Sequence, residues 1–168
     1  MVAGEEGAAS AASRERLSGF DIRQAGPGDL EAIVSMRIEF ERATRDSGSL
    51  DEDARRSELR SLFSRDLSCG VLVAWLAEED GLPIAQAALR LRGDSGELLN
   101  VYTAPAFRRR GLGSALVDRA LAEADQLRLR RVTLQPTEDS RRIYERRGFR
   151  GGSRSMSLVL PRPPAPSV

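Results

Sequence analysis

Three apolar segments in the middle of the chain are separated by turns of only four residues. GVLVAWLA (70–77) and LPIAQAALRLR (82–92) are joined by EEDG, and GDSG leads on to ELLNVYT (97–103). Such short connections join antiparallel neighbours, because a parallel pair needs a crossover of about a dozen residues or more. The sequence therefore predicts a three-stranded meander, against which the rest of the chain must pack.

Predicted elements on both sides of this meander define the fold class. Apolar spacing predicts one strand before it, at 19–25, and two strands after it, at 130–135 and 153–160. Helices are predicted at 26–43 and 50–66, after Gly113 as far as Leu127, and at 138–147. This order predicts an α/β (α+β) sandwich, in which about four helices flank a mixed, mostly antiparallel sheet of about six to seven strands.

The two ends of the chain differ in composition from the part between them. Residues 1–17 are rich in Ala, Gly, Ser and Glu, which predicts a disordered N-terminal tail. Residues 161–168 (PRPPAPSV) form a proline-rich tail that cannot continue a strand. We expect one domain over 18–160, because a chain of 168 residues is long enough for a single core.

Missing residue types exclude several kinds of chemistry. All 26 basic residues are arginine, and the chain has neither lysine nor histidine. This excludes a Schiff-base lysine, a Walker-type phosphate lysine, Ser-His and Cys-His nucleophiles and the usual zinc sites. Cys69 is the only cysteine, so an internal disulfide and a cysteine metal cluster are excluded as well. No metal site is expected, and catalysis must use Tyr, Asp, Glu, Ser, Thr, Arg or backbone groups.

Charge and hydropathy argue against nucleic acid and membrane partners. The net charge is +1, whereas a nucleic-acid binder usually has a basic excess over the whole domain. An alternative is a small nucleic-acid binder that uses RRRG (108–111) and RLRR (128–131), but interleaved aromatic residues are missing. No apolar run approaches the roughly 20 residues that span a bilayer. The first residues lack the pattern of a secretory signal, so the predicted location is the cytoplasm.

The stretch PAFRRRGLGSAL (105–116) places three arginines directly before two glycines and the start of a predicted helix. A helix N-terminus offers unpaired backbone N–H groups and a partial positive charge, which together suit an anion such as phosphate. Gly111 and Gly113 would let the backbone approach the ligand, and the arginines would add charge-assisted hydrogen bonds. The alternative is a solvated turn with a basic cap.

Two motifs resemble the GNAT superfamily of N-acyltransferases. The spacing Arg108-x-x-Gly111-x-Gly113, after NVYTAPAF and before an amphipathic helix, resembles that family's acyl-CoA pyrophosphate loop. RRIYERRGF (141–149) resembles its tyrosine helix, which usually ends in a Tyr, three residues and then Gly-Phe. Both motifs occur in the family's order, and the resemblance covers roughly residues 19–160.

The resemblance implies acetyl-CoA as co-substrate and a sheet that is splayed between the fourth and fifth predicted strands, 97–103 and 130–135. The thioester would lie in the V-shaped cleft between these strands. The pantetheine arm would meet the strand backbone and Thr137, which stands where the family often has Asn. The residues that the resemblance assigns to the cofactor are Val101, Tyr102, Thr103, Arg108, Arg109, Arg110, Gly111, Leu112, Gly113, Ser114 and Thr137.

The resemblance also implies catalytic roles. Tyr144 aligns with the general acid, and a phenol with a pKa of about 10 can donate a hydrogen bond or a proton to a departing thiolate. The attacking amine must first lose a proton, and Glu97 is the first candidate for that base. Glu39, Glu41 and Glu138 are weaker candidates. The alternatives are a tyrosine that only packs in its helix face and carboxylates that are only solvated.

The acceptor is expected to be a primary amine of a small molecule or a peptide, acetylated by direct attack in a ternary complex. In the family the first two helices form much of the acceptor wall, which here is roughly residues 37–56. Arg37 and Phe40 are the expected contacts. The charge of the acceptor stays open, because Arg37 or Arg45 would suit a carboxylate. A cationic amine would instead suit the nearby carboxylates, which are Glu39, Glu41 and Asp51.

The alternative function is a catalytically silent acyl-CoA-binding or sensing module, which would keep the loop and perform no transfer. The presence of Tyr144 favours the enzyme. The resemblance also implies a homodimer, for which the last predicted strand (153–160) would offer a sheet edge.

Overall fold

An eight-stranded mixed sheet organises the residues that the computed structural model describes, which are 15–17, 19–44 and 51–161. Its strands are β1 (Glu15–Leu17), β2 (Phe20–Gln24), β3 (Leu72–Glu79), β4 (Leu82–Arg92), β5 (Ser95–Thr103), β6 (Arg131–Leu134), β7 (Arg150–Gly151) and β8 (Met156–Val159). The described helices are α1 (Leu30–Thr44), α2 (Glu52–Ser68), α3 (Leu112–Gln126) and α4 (Arg141–Glu145). None of these helices is long and apolar enough to cross a membrane.

The sheet confirms the predicted fold class. Its strands lie in the order β1-β2-β3-β4-β5-β6-β8-β7. The predicted meander is β3, β4 and β5, which pair in antiparallel order. β5 and β6 are parallel, because α3 carries the chain back along the sheet between them.

Two of the eight strands are too short for the sequence to predict. β1 pairs with β2 and lies at the end of the segment 1–17 that the composition predicts to be disordered. The remainder of the predicted tails, residues 1–14 and 162–168, lies outside the described residues. β7 has two residues and pairs with β8. Alternation over two or three residues carries no periodic signal, so these strands depend on pairing with a neighbour.

The last strand is not the sheet edge that the sequence predicts. β8 lies between β6 and β7, and its residues Met156 and Ser157 pair with β7. Leu158 and Val159 pair with β6 alone, and Val159 is 67% exposed. The backbone left for a partner strand is therefore much shorter than predicted, and a homodimer through this strand stays a prediction.

Hydrophobic clusters on the two faces of the sheet hold the helices. α3 packs into one cluster through residues such as Leu116. α1 and α2 pack into the other through residues such as Ile33 and Phe63. Trp75 and Leu76 are consecutive residues of β3, yet each is fully buried and each belongs to a different cluster. β3 is therefore a central strand that is covered on both faces.

β5 and β6 pair along only part of their length. Residues 95–98 lie beside residues 131–134, and the ladder stops there. β5 continues to Thr103 along β4 with a bulge, in which Asn100 and Val101 lie between the pairs that Leu99 and Tyr102 make with β4. Asn100 has a φ of +54° at this bulge. The predicted splay between the fourth and fifth predicted strands is thereby confirmed between β5 and β6.

Candidate active site

A cleft of about 430 Å³ opens where β5 and β6 separate. One wall is formed by residues 97–101 of β5, and the opposite wall by residues 135–137 with Ser140 and Tyr144. The other lining residues come from α1, α2 and β4, and are Arg37, Phe40, Thr44, Arg55, Leu59, Leu62, Phe63 and Arg90. This volume is typical of a small-molecule site.

Residues predicted from distant parts of the sequence meet at this cleft. They come from α1, β5 and the segment around α4, and are Arg37, Phe40, Glu97, Val101, Thr137 and Tyr144. The cleft is not lined by Tyr102, Thr103 or residues 108–114. Residues 112–114 form the first turn of α3. The structure therefore divides the predicted site residues between the cleft and the loop before α3.

The end of α4 fixes Tyr144. The chain leaves this helix at Gly148, whose φ of +87° favours a residue without a Cβ atom. The N–H of Gly148 donates to the carbonyl of Glu145 at 3.0 Å, and the N–H of Phe149 to the carbonyl of Tyr144 at 3.1 Å. These bonds form a Schellman motif, in which the residue after the glycine packs back onto the helix. The Phe149 ring accordingly meets the Tyr144 ring edge-on, with centroids 5.9 Å apart.

Thr137 and Ser140 close the turn before α4. The N–H of Thr137 donates to Ser140 Oγ at 3.0 Å, and the N–H of Ser140 donates to Thr137 Oγ1 at 3.3 Å. The two hydroxyl groups also bond to each other at 2.8 Å. This reciprocal pattern resembles a capping box, which satisfies N–H groups near a helix start. The Thr137 hydroxyl is engaged in the turn, and its contact with pantetheine stays a prediction.

Arg147 ties α4 to the first turn of α3. Its Nη2 donates to the Ser114 carbonyl at 3.1 Å and to Asp118 Oδ2 at 2.8 Å, and its Nη1 donates to the Ile143 carbonyl at 2.8 Å. Because Ser114 belongs to the arginine–glycine stretch, these bonds hold that stretch at a set distance from the tyrosine helix. This role of Arg147 is not predicted from the sequence.

Burial favours the protonated form of Tyr144. The residue is 4% exposed. Removal from water raises the pKa of its phenol above the ordinary value, against weaker lowering effects of Ser140 and Arg147. The phenol is therefore protonated at neutral pH and can donate a hydrogen bond into the cleft.

Glu97 is the only carboxylate among the described residues that line the cleft. It lies in β5 beside Thr133 of β6, in the last but one residue pair before the strands separate. Its Oε2 is 3.3 Å from Arg92 Nη2 and 3.8 Å from Arg90 Nη1. The Glu97 side chain is 29% exposed, so a ligand or a water molecule can reach it.

The weaker candidate carboxylates lie elsewhere. Glu39 and Glu138 are exposed and do not line the cleft. Glu41 is buried and accepts hydrogen bonds from Arg55 and Arg37, which lower its pKa to about 2. Glu41 is therefore ionised at neutral pH and is a poor proton acceptor. Among the described residues, no group of His, Cys, Asp and Glu side chains has an arrangement that would hold a metal ion.

The first turn of α3 is open to an anion. The helix begins at Leu112, after Gly111 with a φ of +81°. Its first backbone bond runs from the Ala115 N–H to the Gly111 carbonyl at 3.0 Å. The N–H groups of Leu112, Gly113 and Ser114 therefore precede the helical ladder, and no side-chain bond from the cap residue covers them. Such a helix start carries a partial positive charge.

The arginines of this loop take different positions. Arg108 Nε donates to the carbonyl at the end of β5 at 3.1 Å. Arg110 lies over the rings of Phe20 and Phe107, with its guanidinium carbon 5.8 and 5.4 Å from their centroids. Arg109 is exposed and has a φ of +63°. Phosphate contacts stay predictions for these three arginines.

The Tyr102 side chain packs against α1. Its hydroxyl donates to Glu39 Oε2 at 2.8 Å, and its ring meets Phe40 edge-on with centroids 6.4 Å apart. Burial and the neighbouring Glu39 raise the pKa of Tyr102 to about 12. The contacts of its backbone and that of Thr103 with a cofactor stay predictions.

A network at the α1–α2 end of the cleft escaped the sequence analysis. Arg37 donates from Nε to Glu41 at 2.8 Å and from Nη1 to Asn100 Oδ1 at 3.0 Å. Arg55 donates to both oxygens of Glu41, at 2.7 and 3.1 Å. Two sequence features could have indicated this network. Asn is unusual inside a predicted strand, and Arg and Glu four residues apart on one helix can form an ion pair.

The other charged candidates of the acceptor wall do not reach the cleft in the described structure. Asp51 is exposed and caps α2, since its Oδ1 accepts the N–H of Ala54 at 3.1 Å. Arg45 lies outside the described residues.

Comparison with known proteins identifies this architecture. The fold and the cleft place the protein in the class of acetyltransferases with a splayed mixed sheet. Residues 32–149 match the model of the Acetyltransferase (GNAT) family, and the chain belongs to that family. The resemblance seen in the sequence is thereby confirmed. No curated protein matches the chain.

Solved structures give the same assignment. A GCN5-related N-acetyltransferase from Ralstonia eutropha is 28% identical with a TM-score of 0.71, over 86% of this chain and 98% of that one. A predicted acetyltransferase from Clostridium acetobutylicum, solved with acetyl-CoA, is 26% identical with a TM-score of 0.71, over 79% and 91%. A GNAT family acetyltransferase from Brucella melitensis, in complex with acetyl-CoA, is 21% identical with a TM-score of 0.67, over 85% and 89%.

The Glu41 network predicts a contribution to stability that is lost in acid. The pKa of Glu41 is about 2, against 4.5 for an unperturbed glutamate, so the anionic form stabilises the folded state. This stabilisation is complete above about pH 5 and is lost as the pH falls towards about 2. We expect Glu41→Gln to lower the free energy of unfolding by about 2 kcal/mol at neutral pH. Urea unfolding at several pH values should show the difference from wild type shrinking below about pH 5.

Glu31→Gln is the matched control, because it removes an exposed ion pair with Arg60 at the surface of α1 and α2. We expect little change in stability from it at any pH. If Glu41→Gln lowered the free energy of unfolding by the same amount from neutral pH down to about pH 2, ionised Glu41 would not be the source of the stability.

Proposed function

We propose that the protein transfers an acetyl group from acetyl-CoA to a primary amine, in the cytoplasm, by direct attack of the amine on the thioester in a ternary complex. The cleft between β5 and β6 carries this proposal, because its walls combine the buried phenol of Tyr144 with the carboxylate of Glu97. Membership of the GNAT family supports acetyl-CoA as the donor, as do the related structures that contain it. The acceptor is a small molecule or a peptide N-terminus.

The residues at the start of α3 fit coenzyme A. The open N–H groups of Leu112, Gly113 and Ser114 would hold the diphosphate. Gly113 borders Thr103 and Ile143 across a gap that a Cβ atom would fill, since such an atom would lie 3.9 Å from Thr103 Oγ1 and 4.0 Å from Ile143 Cδ1.

Glu97 prepares the acceptor for attack. An ordinary alkylammonium has a pKa of about 10.4, so only about one molecule in a thousand is neutral near pH 7.4. Glu97 takes the surplus proton from the ammonium, directly or through a water molecule. The neutral nitrogen then forms a bond to the thioester carbon and gives a tetrahedral intermediate. A backbone N–H group of β5 near Tyr102 or Thr103 would stabilise the oxyanion.

Tyr144 assists the departure of sulfur. A thiol has a pKa of about 8.5 and the phenol has one above about 10, so complete proton transfer to sulfur is uphill. The phenol therefore acts first as a hydrogen-bond donor, as negative charge develops on sulfur. When the C–S bond breaks, the thiolate takes a proton by way of the phenol, which regains one from solvent. The nitrogen loses its second proton to solvent, so the products are the amide and the free thiol.

A thiol-release screen of amines against acetyl-CoA tests the proposed function. We expect thiol release that depends on both substrates. Coenzyme binding without turnover across a broad amine panel would instead support the silent acyl-CoA-binding module. Calorimetry that detects no coenzyme binding to folded protein would overturn both functions.

Tyr144→Phe removes only the phenolic hydroxyl. We expect the kcat to fall by about 100-fold or more, because the leaving thiolate loses its hydrogen-bond donor. The KM for acetyl-CoA should stay near the wild-type value, since the loop and its backbone are unchanged. Steady-state kinetics measure both constants, and an unchanged kcat would show that the phenol is not the acid.

Glu97→Gln removes the proposed base. We expect kcat/KM for the amine to fall by about 100-fold near neutral pH. The deficit should narrow at alkaline pH, where more of the amine is already neutral. Glu138→Gln is the matched control, because Glu138 is exposed and does not line the cleft. A pH–rate profile that is the same for Glu97→Gln and wild type would exclude Glu97.

Gly111→Val strains the loop before α3, since a side chain at a φ of +81° is unfavourable. We expect the Kd for coenzyme A to rise by about tenfold or more, as the N–H groups after this residue shift. Gly70→Val is a control with similar strain, because Gly70 has a φ of +68° between α2 and β3 and does not line the cleft. Calorimetry should show weaker binding for Gly111→Val alone. Equal losses in the two variants would contradict the loop's role.

A further inference from the structure

A positively charged wall closes the α1–α2 end of the cleft. Arg37 and Arg55 line it and share one carboxylate, Glu41, whose side chain is 4% exposed and does not line the cleft. The other described acid that pairs with Arg55 is Glu58, which is 66% exposed and therefore screened by water. Two guanidinium groups thus face the cleft with one buried carboxylate between them.

Two hydrogen-bond donors at this wall have no described acceptor. Arg37 uses Nε for Glu41 and Nη1 for Asn100 Oδ1, and none of the described residues accepts from its Nη2. The Asn100 side-chain nitrogen is buried and also has no acceptor in the described part of the chain. The Asn100 donor costs free energy because it is buried without an acceptor, whereas the Arg37 side chain is 24% exposed and its Nη2 can be solvated. Both residues line the cleft, so a ligand oxygen placed there would satisfy these donors.

The shape and chemistry of this end suit a carboxylate on an apolar body. A guanidinium and a primary amide joined by one hydrogen bond can together offer N–H groups to two carboxylate oxygens. The hydrocarbon side chains of Phe40, Leu62 and Phe63 line the cleft beside them. A second ammonium group on the acceptor would instead meet the guanidinium of Arg37.

We propose that the acceptor is a small amine bearing a carboxylate and an apolar side chain, of the kind found in hydrophobic amino acids, and that Arg37 and Asn100 bind the carboxylate. This inference rests on the proposed acetyl transfer and names the acceptor class for it. The amine lies towards Glu97 and Tyr144 when the carboxylate lies against Arg37. The proposal thereby assigns a charge to the acceptor, which the sequence leaves open.

Matched amines test the proposal. We expect kcat/KM for leucine to exceed that for leucinamide, 3-methylbutylamine and spermidine by about tenfold or more. Amidation also lowers the pKa of the amine, so leucinamide would react faster if the carboxylate were not recognised. Equal or faster turnover of leucinamide or 3-methylbutylamine overturns the proposal.

Substitution of Arg37 separates acceptor binding from the chemistry. We expect Arg37→Gln to raise the KM for leucine by about tenfold or more, with the KM for acetyl-CoA unchanged. The KM of Arg37→Lys for leucine should lie between those of Arg37→Gln and wild type. Lysine keeps the charge and loses the planar guanidinium that can bind both carboxylate oxygens. Arg60→Gln is the matched control on the exposed side of α2. An unchanged KM for leucine in folded Arg37→Gln overturns the proposal.

A binding experiment keeps the inference separate from the proposed function. In calorimetry with coenzyme A present, we expect leucine to bind wild type and not Arg37→Gln, and leucinamide to bind neither. This result without turnover would overturn the proposed transfer and support the carboxylate site. Turnover of amines that lack a carboxylate, with no leucine binding, would support the proposed transfer and overturn the carboxylate site. Tighter binding of the phosphonate analogue of leucine would overturn the carboxylate in favour of a phosphate-bearing acceptor.

Discussion

The limited pairing of β5 with β6 is the constraint on which the site depends. Backbone bonds hold these strands together from Ser95 beside Arg131 to Leu98 beside Leu134, and no further. Beyond that point β5 follows its antiparallel partner β4, while β6 leads into the turn before α4. Because parallel strands need a crossover, α3 connects them, and its open first turn follows directly on the end of β5. The cleft and the glycine loop before α3 therefore have one structural origin.

The phenol in this cleft is positioned by backbone geometry. Gly148 and the packing of Phe149 close α4 after Tyr144, while the Thr137 turn closes it before. Arg147 then joins α4 to the first turn of α3 by hydrogen bonds. Burial raises the pKa of the phenol further above neutral pH. This arrangement explains how a motif of one tyrosine, a spacer, a glycine and a phenylalanine fixes a tyrosine in the wall of the cleft.

The charges of the cleft are divided between its two ends. Glu97 lines the cleft where β5 and β6 separate. Glu41 is committed to the guanidinium groups of Arg55 and Arg37, which is why its pKa is low and why it stabilises the fold. That commitment leaves the far end of the cleft cationic. A carboxylate on the acceptor would pair with the Arg37 and Asn100 donors that have no acceptor among the described residues.

Local signals allowed the sequence by itself to determine the meander, the presence of the four helices, the glycine loop and the tyrosine motif. Short turns, apolar periodicity and glycine at positive φ act over a few neighbouring residues. The sequence could not determine β1 and β7, which exist only by pairing. Nor could it show that Glu97, alone among the candidate carboxylates, lines the cleft, or that Asn100 meets Arg37, which is 63 residues away. Tertiary structure decided these, because the environment of a side chain depends on which distant elements pack around it.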